Sequence, residues 1–163
     1  MKLQIAGIID DSIVDGPGVR YTIFTQGCSH YCPDCHNPET HDFNGGSSVK
    51  IDDLMADIAR FKYIKGVTFS GGEPFDQPEA LTEFVVRLKN KGYDVLIFSG
   101  YTFEEIVQEP IKMKALRYAD TLIDGRFDIN RRTLDLRFRG SSNQRIIDIQ
   151  QSLASGQICL KEE

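Results

Sequence analysis

The segment GCSHYCPDCHNPET, residues 27–40, carries three of the four cysteines of the chain, Cys28, Cys32 and Cys35, spaced C-x3-C-x2-C. Thiols this close together in a reducing compartment are metal ligands or catalytic groups more often than disulfides. Two metals suit them. Zinc needs four S or N ligands in a closed tetrahedron, and His30, His36 or His41 could supply the fourth. The usual second Cys/His pair of a zinc module is missing, because Cys159 stands alone near the C-terminus. A [4Fe–4S] cube also takes thiolates, and three of them hold three of its irons. The fourth iron then keeps an open position, as catalytic metal centres do, and a small molecule is expected on it.

A second candidate lies about 35 residues on. SGGEP (residues 70–74) follows an apolar run directly. Gly71 and Gly72 allow a ligand close to the backbone and leave main-chain groups able to bond it. Glu73 adds a carboxylate suited to an ammonium group. A glycine-containing strand-to-helix turn with an acidic cap is the plain alternative. Neither GxGxxG nor GxxxxGK[ST] occurs, which disfavours dinucleotide and ATP sites.

The elements that must position these residues follow from pattern. Strands are expected at Leu3–Ile9 and, alternating, at Val19–Thr25, with DGPG (residues 15–18) as a turn between them. Residues 26–48 have no periodicity and form a long loop, the kind that is usually functional. A helix from Val49 to about Phe61 is expected, capped by Ser48 and with Asp52 and Asp53 in its first turn. A strand Gly66–Ser70 precedes a helix from Pro78 to Lys91, stopped by Gly92. Asp94–Ser99 is a buried strand, Thr102 and Glu105 form a capping box, and a helix covers Lys112–Tyr118. Thr121–Asp124 and Arg145–Ile149 close the pattern as strands. Strands and helices alternating at this spacing imply βαβ units, an α/β fold and a mostly parallel sheet. Ligands bind at the C-terminal ends of such strands, so the cysteine loop and GGEP belong at one end of the sheet.

The 163 residues are read as a single domain, residues 1–163, large enough for a proper core. Apolar residues are 40% and charged residues 26%, with a net charge of -5, which argues against a nucleic-acid surface. Six arginines (Arg126, Arg131, Arg132, Arg137, Arg139 and Arg145) crowd one late segment, as a solvated face or a dock for an acidic partner. The N-terminal apolar run is interrupted by Asp10 and Asp11, no targeting signal is expected, and no run approaches a membrane span. The chain is expected in the cytoplasm.

With these residues in view, C-x3-C-x2-C followed by GGEP resembles the radical S-adenosylmethionine (SAM) enzymes. VDGPGVRYTIFTQGC (14–28), CHNPETHDF (35–43) and FSGGEPF (69–75) are similar to the glycyl-radical activating enzymes. GYTFEE (100–105), LIDGRF (122–127) and LRFRGSSNQRIID (136–148) are similar to one branch, the activating proteins of anaerobic (class III) ribonucleoside-triphosphate reductase. The resemblance covers nearly the whole chain. It implies an incomplete (β/α) barrel of mostly parallel strands. It implies that Cys28, Cys32 and Cys35 ligate a [4Fe–4S] cluster, that SAM chelates the fourth iron, and that Gly71, Gly72 and Glu73 hold its methionine end. Asp34 stands where this branch commonly has glycine; with His36 it flanks the third cysteine, and the resemblance implies that both backbones touch SAM, His36 being read equally as a solvated loop histidine. Asn37 is read as pinning the loop. One electron from a low-potential donor such as flavodoxin or ferredoxin would split SAM, and the resulting 5′-deoxyadenosyl radical would take hydrogen from a glycine of the reductase. Two readings compete: an activase of another glycyl-radical enzyme, of the pyruvate formate-lyase type, and a zinc-stabilised binding module without catalysis. DGPG is read as shaping the site's floor, GSSNQR (140–145) as steadying the last strand or meeting the partner, and Cys159 as no ligand.

Overall fold

The structure is a computed structural model and describes residues 1–30, 32, 38–133 and 138–161. Its strands are β1 (Lys2–Ser12), β2 (Arg20–Thr25), β3 (Ser47–Lys50), β4 (Gly66–Gly71), β5 (Asp94–Phe98), β6 (Thr121–Asp124) and β7 (Arg145–Asp148). Its helices are α1 (Ile51–Ala59), α2 (Pro78–Asn90), α3 (Phe103–Val107), α4 (Pro110–Leu116) and α5 (Ile149–Ser155). Among the described residues the strands form one sheet in the order β3-β1-β2-β4-β5-β6-β7. The central strands β2, β4, β5 and β6 are parallel, and β1, β3 and β7 add on antiparallel at the flanks. The order has two ends that do not pair, so this is an open α/β sheet, in keeping with an incomplete barrel.

Strand periodicity divides the sheet into two faces. Tyr21, Ile23, Val67, Phe69, Val95, Ile97, Leu122 and Ile147 share the main core with Leu54 and Ile58 of α1 and with Leu81, Phe84, Val85 and Leu88 of α2. Phe69 and Phe84 meet edge to face, centroids 5.2 Å apart. On the opposite face the register aligns Thr22 with Thr68 and Phe24 with Ser70, and Phe98 with Ile123. The DGPG turn packs onto this second face: a Cβ on Gly16 would meet the Arg20 stem and Leu96. Arg20 is buried there, donating Nε to Thr68 (2.7 Å) and its terminal nitrogens to the carbonyls of Pro17, Val67 and Asp94, with Asp94 as ion partner at 2.8 Å. The face carrying Arg20 therefore has a polar end at the strand starts and an opening at the strand ends.

Several expected boundaries shift. Ser48 does not cap α1: it lies in β3, which pairs Ser47–Lys50 with Lys2–Ile5, and the helix begins at Ile51 behind Lys50 with no side-chain cap. Cross-strand pairing, with β-branched Val49 opposite Leu3, outweighs the local cap. α4 starts at Pro110, a proline suited to the first turn, rather than at Lys112. α5 follows β7 without a loop, capped by Asp148, whose side chain accepts from Gln151 N at 3.0 Å. The Thr102/Glu105 capping box forms as expected. No described helix is long and apolar enough to cross a membrane.

Candidate active site

Cys28 follows β2 by three residues, and the loop that carries it is fastened at both ends. Gly27 N donates to Thr40 O (2.6 Å) and Cys28 N to His41 O (3.2 Å), so the loop's outgoing end returns beside its start. The buried Gln26 side chain holds the returning strand, Nε2 donating to the carbonyls of Asp42 (2.6 Å) and Glu39 (3.1 Å). Gln77 performs the same service from the other side. Its amide exchanges two bonds with the Gln4 backbone and donates to Gln26 O at 3.2 Å.

GGEP follows β4, the parallel neighbour of β2, and its loop is stitched to the cysteine loop. Gly72 N donates to Thr25 O and Glu73 N to Gly27 O, both at 2.8 Å. Gly71 takes φ +87°, and a Cβ there would stand 2.8 Å from Thr25 N and O. The glycines are thus required by the approach of one loop backbone to the other, and the Gly72 N–H, one of the main-chain groups expected to meet a ligand, is engaged in that stitch.

Glu73 is fully buried. Oε1 accepts from His30 Nε2 (2.7 Å), Gly100 N (2.7 Å) and Ser99 Oγ (2.9 Å). Oε2 accepts from Phe75 N (2.9 Å) and shares the Ser99 hydroxyl at 2.9 Å. Beside it, Asp76 accepts from Ser29 N (3.0 Å) and from Tyr101 Oη (2.6 Å). The Tyr101 phenol is held protonated, its pKa raised by burial and then by that bond to Asp76. Lys112 lies 3.6 Å from the centre of the Tyr101 ring.

Cys28 and Cys32 line one cavity of about 800 Å³ together with Gly71 and Gly72. Phe24, Phe98, Ile123 and Phe138 give it an apolar wall; Asp15 and Gln144 stand at its polar parts. That volume suits a ligand of nucleoside size. The cavity lies at the C-terminal ends of β2, β4 and β5, where the parallel topology places it. Of the expected site residues, Cys28, Cys32, Gly71 and Gly72 come together and Glu73 sits directly behind them. Cys35, Asp34, His36 and Asn37 lie outside the described residues, and among the described residues no group of three His, Cys, Asp or Glu side chains forms a metal site without them. His30, Ser99, Gln26 and Gln77 were not anticipated in these positions. Each stands in or beside a quoted motif, but its partner is 13 to 73 residues away. The late polar segment is a hydrogen-bonded turn. Gln144 accepts from Gly140 N (2.8 Å) and donates to Gly125 O (3.0 Å), and Asn143 donates to Arg126 O (2.9 Å).

Soft thiolates on a strand-end loop fit an iron–sulfur cluster. Residues 14–147 match the model of the 4Fe-4S single cluster domain. The chain is 34% identical over 139 residues to the anaerobic ribonucleoside-triphosphate reductase-activating protein of Enterobacteria phage T4, covering 82% of this chain and 86% of that one. It is 32% identical over 142 residues to the protein of the same description from Escherichia coli K12, covering 81% and 90%. The chain belongs to the radical SAM activating enzymes with a single 4Fe-4S cluster domain. Membership in this family resolves the choice of metal left open by spacing in favour of the cluster. A further relative in the family, the pyruvate formate-lyase-activating enzyme of Clostridium pasteurianum, is 40% identical over 114 residues, which is 64% of this chain and 48% of that protein. The crystal structure of QueE from Escherichia coli shares the fold, with a TM-score of 0.54 at 21% identity over 63% of this chain and 54% of that one.

Proposed function

We propose that this activating enzyme cleaves SAM reductively and installs the glycyl radical of an anaerobic ribonucleoside-triphosphate reductase. The supporting observation is that Cys28 and Cys32 share one nucleoside-sized cavity with the Gly71–Gly72 backbone, two parallel strands fixing the distance between them. Cys28, Cys32 and Cys35 would hold the cluster, and Asp34, His36, Gly71, Gly72 and Glu73 would surround the methionine end of SAM. When bound, the cluster would supply the one electron that splits SAM into methionine and 5′-deoxyadenosine, the latter carrying the hydrogen taken from the reductase glycine. The chain's own residues bind and orient. Phe24, Phe98 and Ile123 exclude water from the reacting carbon, and the glycine loop of the reductase must reach within ~3–3.5 Å of it. We read residues 1–163 as one cytoplasmic domain that takes its electron from flavodoxin or ferredoxin and engages neither nucleic acid nor membrane.

The likeness to the pyruvate formate-lyase-activating enzyme favours one second reading, the same chemistry on another glycyl protein. Anaerobic protein reconstituted with iron and sulfide, reduced and given SAM, is expected to form 5′-deoxyadenosine well above a Cys32→Ala control. With the reductase present, a glycyl-radical electron paramagnetic resonance signal is expected on that protein and not on pyruvate formate-lyase. A signal on the lyase alone would replace the first reading by the second. No product with either partner, from protein with a full cluster, would overturn both.

A further inference from the structure

His30 lies in sequence between two expected ligands, Cys28 and Cys32, and its ring meets the GGEP carboxylate. Its side chain is 4% exposed, and Nε2 stands 2.7 Å from Glu73 Oε1. The ring packs edge-on to Tyr101, centroids 4.4 Å apart at 71°. It rests on Gly100, where a Cβ would come within 2.7 Å of Nε2. The other donors to Glu73 (Phe75 N, Ser99 Oγ and Gly100 N) come from the loops after β4 and β5. His30 is the described donor to Glu73 that comes from the cysteine loop. Ser29, one residue earlier, reaches the same two loops through Asp76 and Tyr101. Three strand-end loops therefore converge on one buried carboxylate, and one imidazole joins the cysteine loop to it.

We propose that His30 is a positioning residue: it sets the Glu73 carboxylate and clamps the first turn of the cysteine loop onto the ends of β4 and β5. The role deepens the activase reading and rests on it, because Glu73 anchors the loop whose Gly71 and Gly72 line the cavity and would hold the methionine end of SAM. An ionised carboxylate only accepts, so the imidazole contributes a directed N–H together with a flat ring that fills the space over Gly100. A residue serving packing alone needs the ring and not the N–H.

Two variants of the full chain separate these functions. His30→Phe keeps the ring and removes the donor; His30→Gln keeps a donor and removes the ring. With equal cluster content, His30→Phe is expected to weaken SAM binding roughly 10-fold, the scale of one hydrogen bond to a charged group, and more than it lowers kcat. His30→Gln is expected to restore affinity to within about threefold of the parent. In iron-free protein, hydrogen exchange at the Gly100 amide should quicken in His30→Phe by a similar factor and recover in His30→Gln. Unchanged SAM affinity in His30→Phe overturns the proposal, as does a His30→Gln protein as impaired as His30→Phe. If the parent protein does not cleave SAM, the activase reading fails while the Gly100 exchange rates still decide the clamp.

Discussion

Glu73 is a buried carboxylate whose hydrogen-bond partners among the described residues are all donors, and that environment makes it intolerant of its own amide. In Glu73→Gln the new NH2 would face Phe75 N–H or the cluster of His30, Ser99 and Gly100 donors, leaving at least one donor unpaired in a dry site. Glu73→Gln is therefore expected to cost about 3 kcal/mol of stability in addition to SAM binding, measured by urea unfolding of iron-free protein. A variant that loses SAM cleavage with unchanged stability would show that the carboxylate serves the ligand alone. The sequence made Glu73 legible as a charge at a strand end beside two glycines. It could not show the four donors, because His30 and Ser99 are 43 and 26 residues away and only the fold brings them there. His30 itself was visible only as a possible zinc ligand, since spacing tells which residues are near the metal and not which way a ring turns.

At the scale of elements, the site depends on how closely two loops approach. Periodicity was enough to find β2, β4, β5, α2 and the α3 capping box, because each follows a rule of local chemistry. Pattern did not find β3, whose Ser47–Lys50 has no strand signal of its own and is recruited by the exposed edge of β1. Nor could it show that GGEP is stitched to residues 25–27, an interaction written in backbone atoms that any residue possesses. The glycines are the trace that this stitch leaves in the sequence. Gly71→Ala must adopt φ +87° with a side chain and push against the Phe24–Thr25 backbone, which cannot yield without breaking the β2–β4 ladder. The expected cost is roughly 2 kcal/mol or more, with iron retained poorly after reconstitution because the cysteine loop loses its support. Thr102→Ala provides the contrast. Loss of the α3 cap should cost about 1 kcal/mol and leave iron content at the parent level. Equal iron content in both variants would separate the stitch from the cluster site.

For the molecule as a whole, the late arginines join parts of the fold. Arg131 donates to Ser142, Arg126 pairs with Glu105, and Arg145 links β7 to β6 and α3 through Asp124 and Glu104. The Arg145–Asp124 pair has one fully buried member, and Asp124 also accepts from Phe103 N at the start of α3. Arg145→Ala strands that carboxylate, and a loss of about 3–5 kcal/mol is expected. The outer partner is different in kind. The bond from Arg145 holds the Glu104 carboxyl below the ordinary glutamate value, against the opposing effect of burial. A depressed native pKa contributes stability above the unfolded value, ~4.3, which is lost as pH falls through the lower native value. Glu104 is more than half exposed, so solvent screening limits its share to about 0.5 kcal/mol. Urea midpoints for the parent and Glu104→Gln should therefore differ slightly at pH 7 and converge as the pH is lowered through the glutamate range. Arg145→Ala should remain well below both at pH 7, because its loss is set by the buried Asp124 and not by the exposed Glu104. A gap between parent and Glu104→Gln that widens on acidification would reverse the sign and rule out the ion pair as its source.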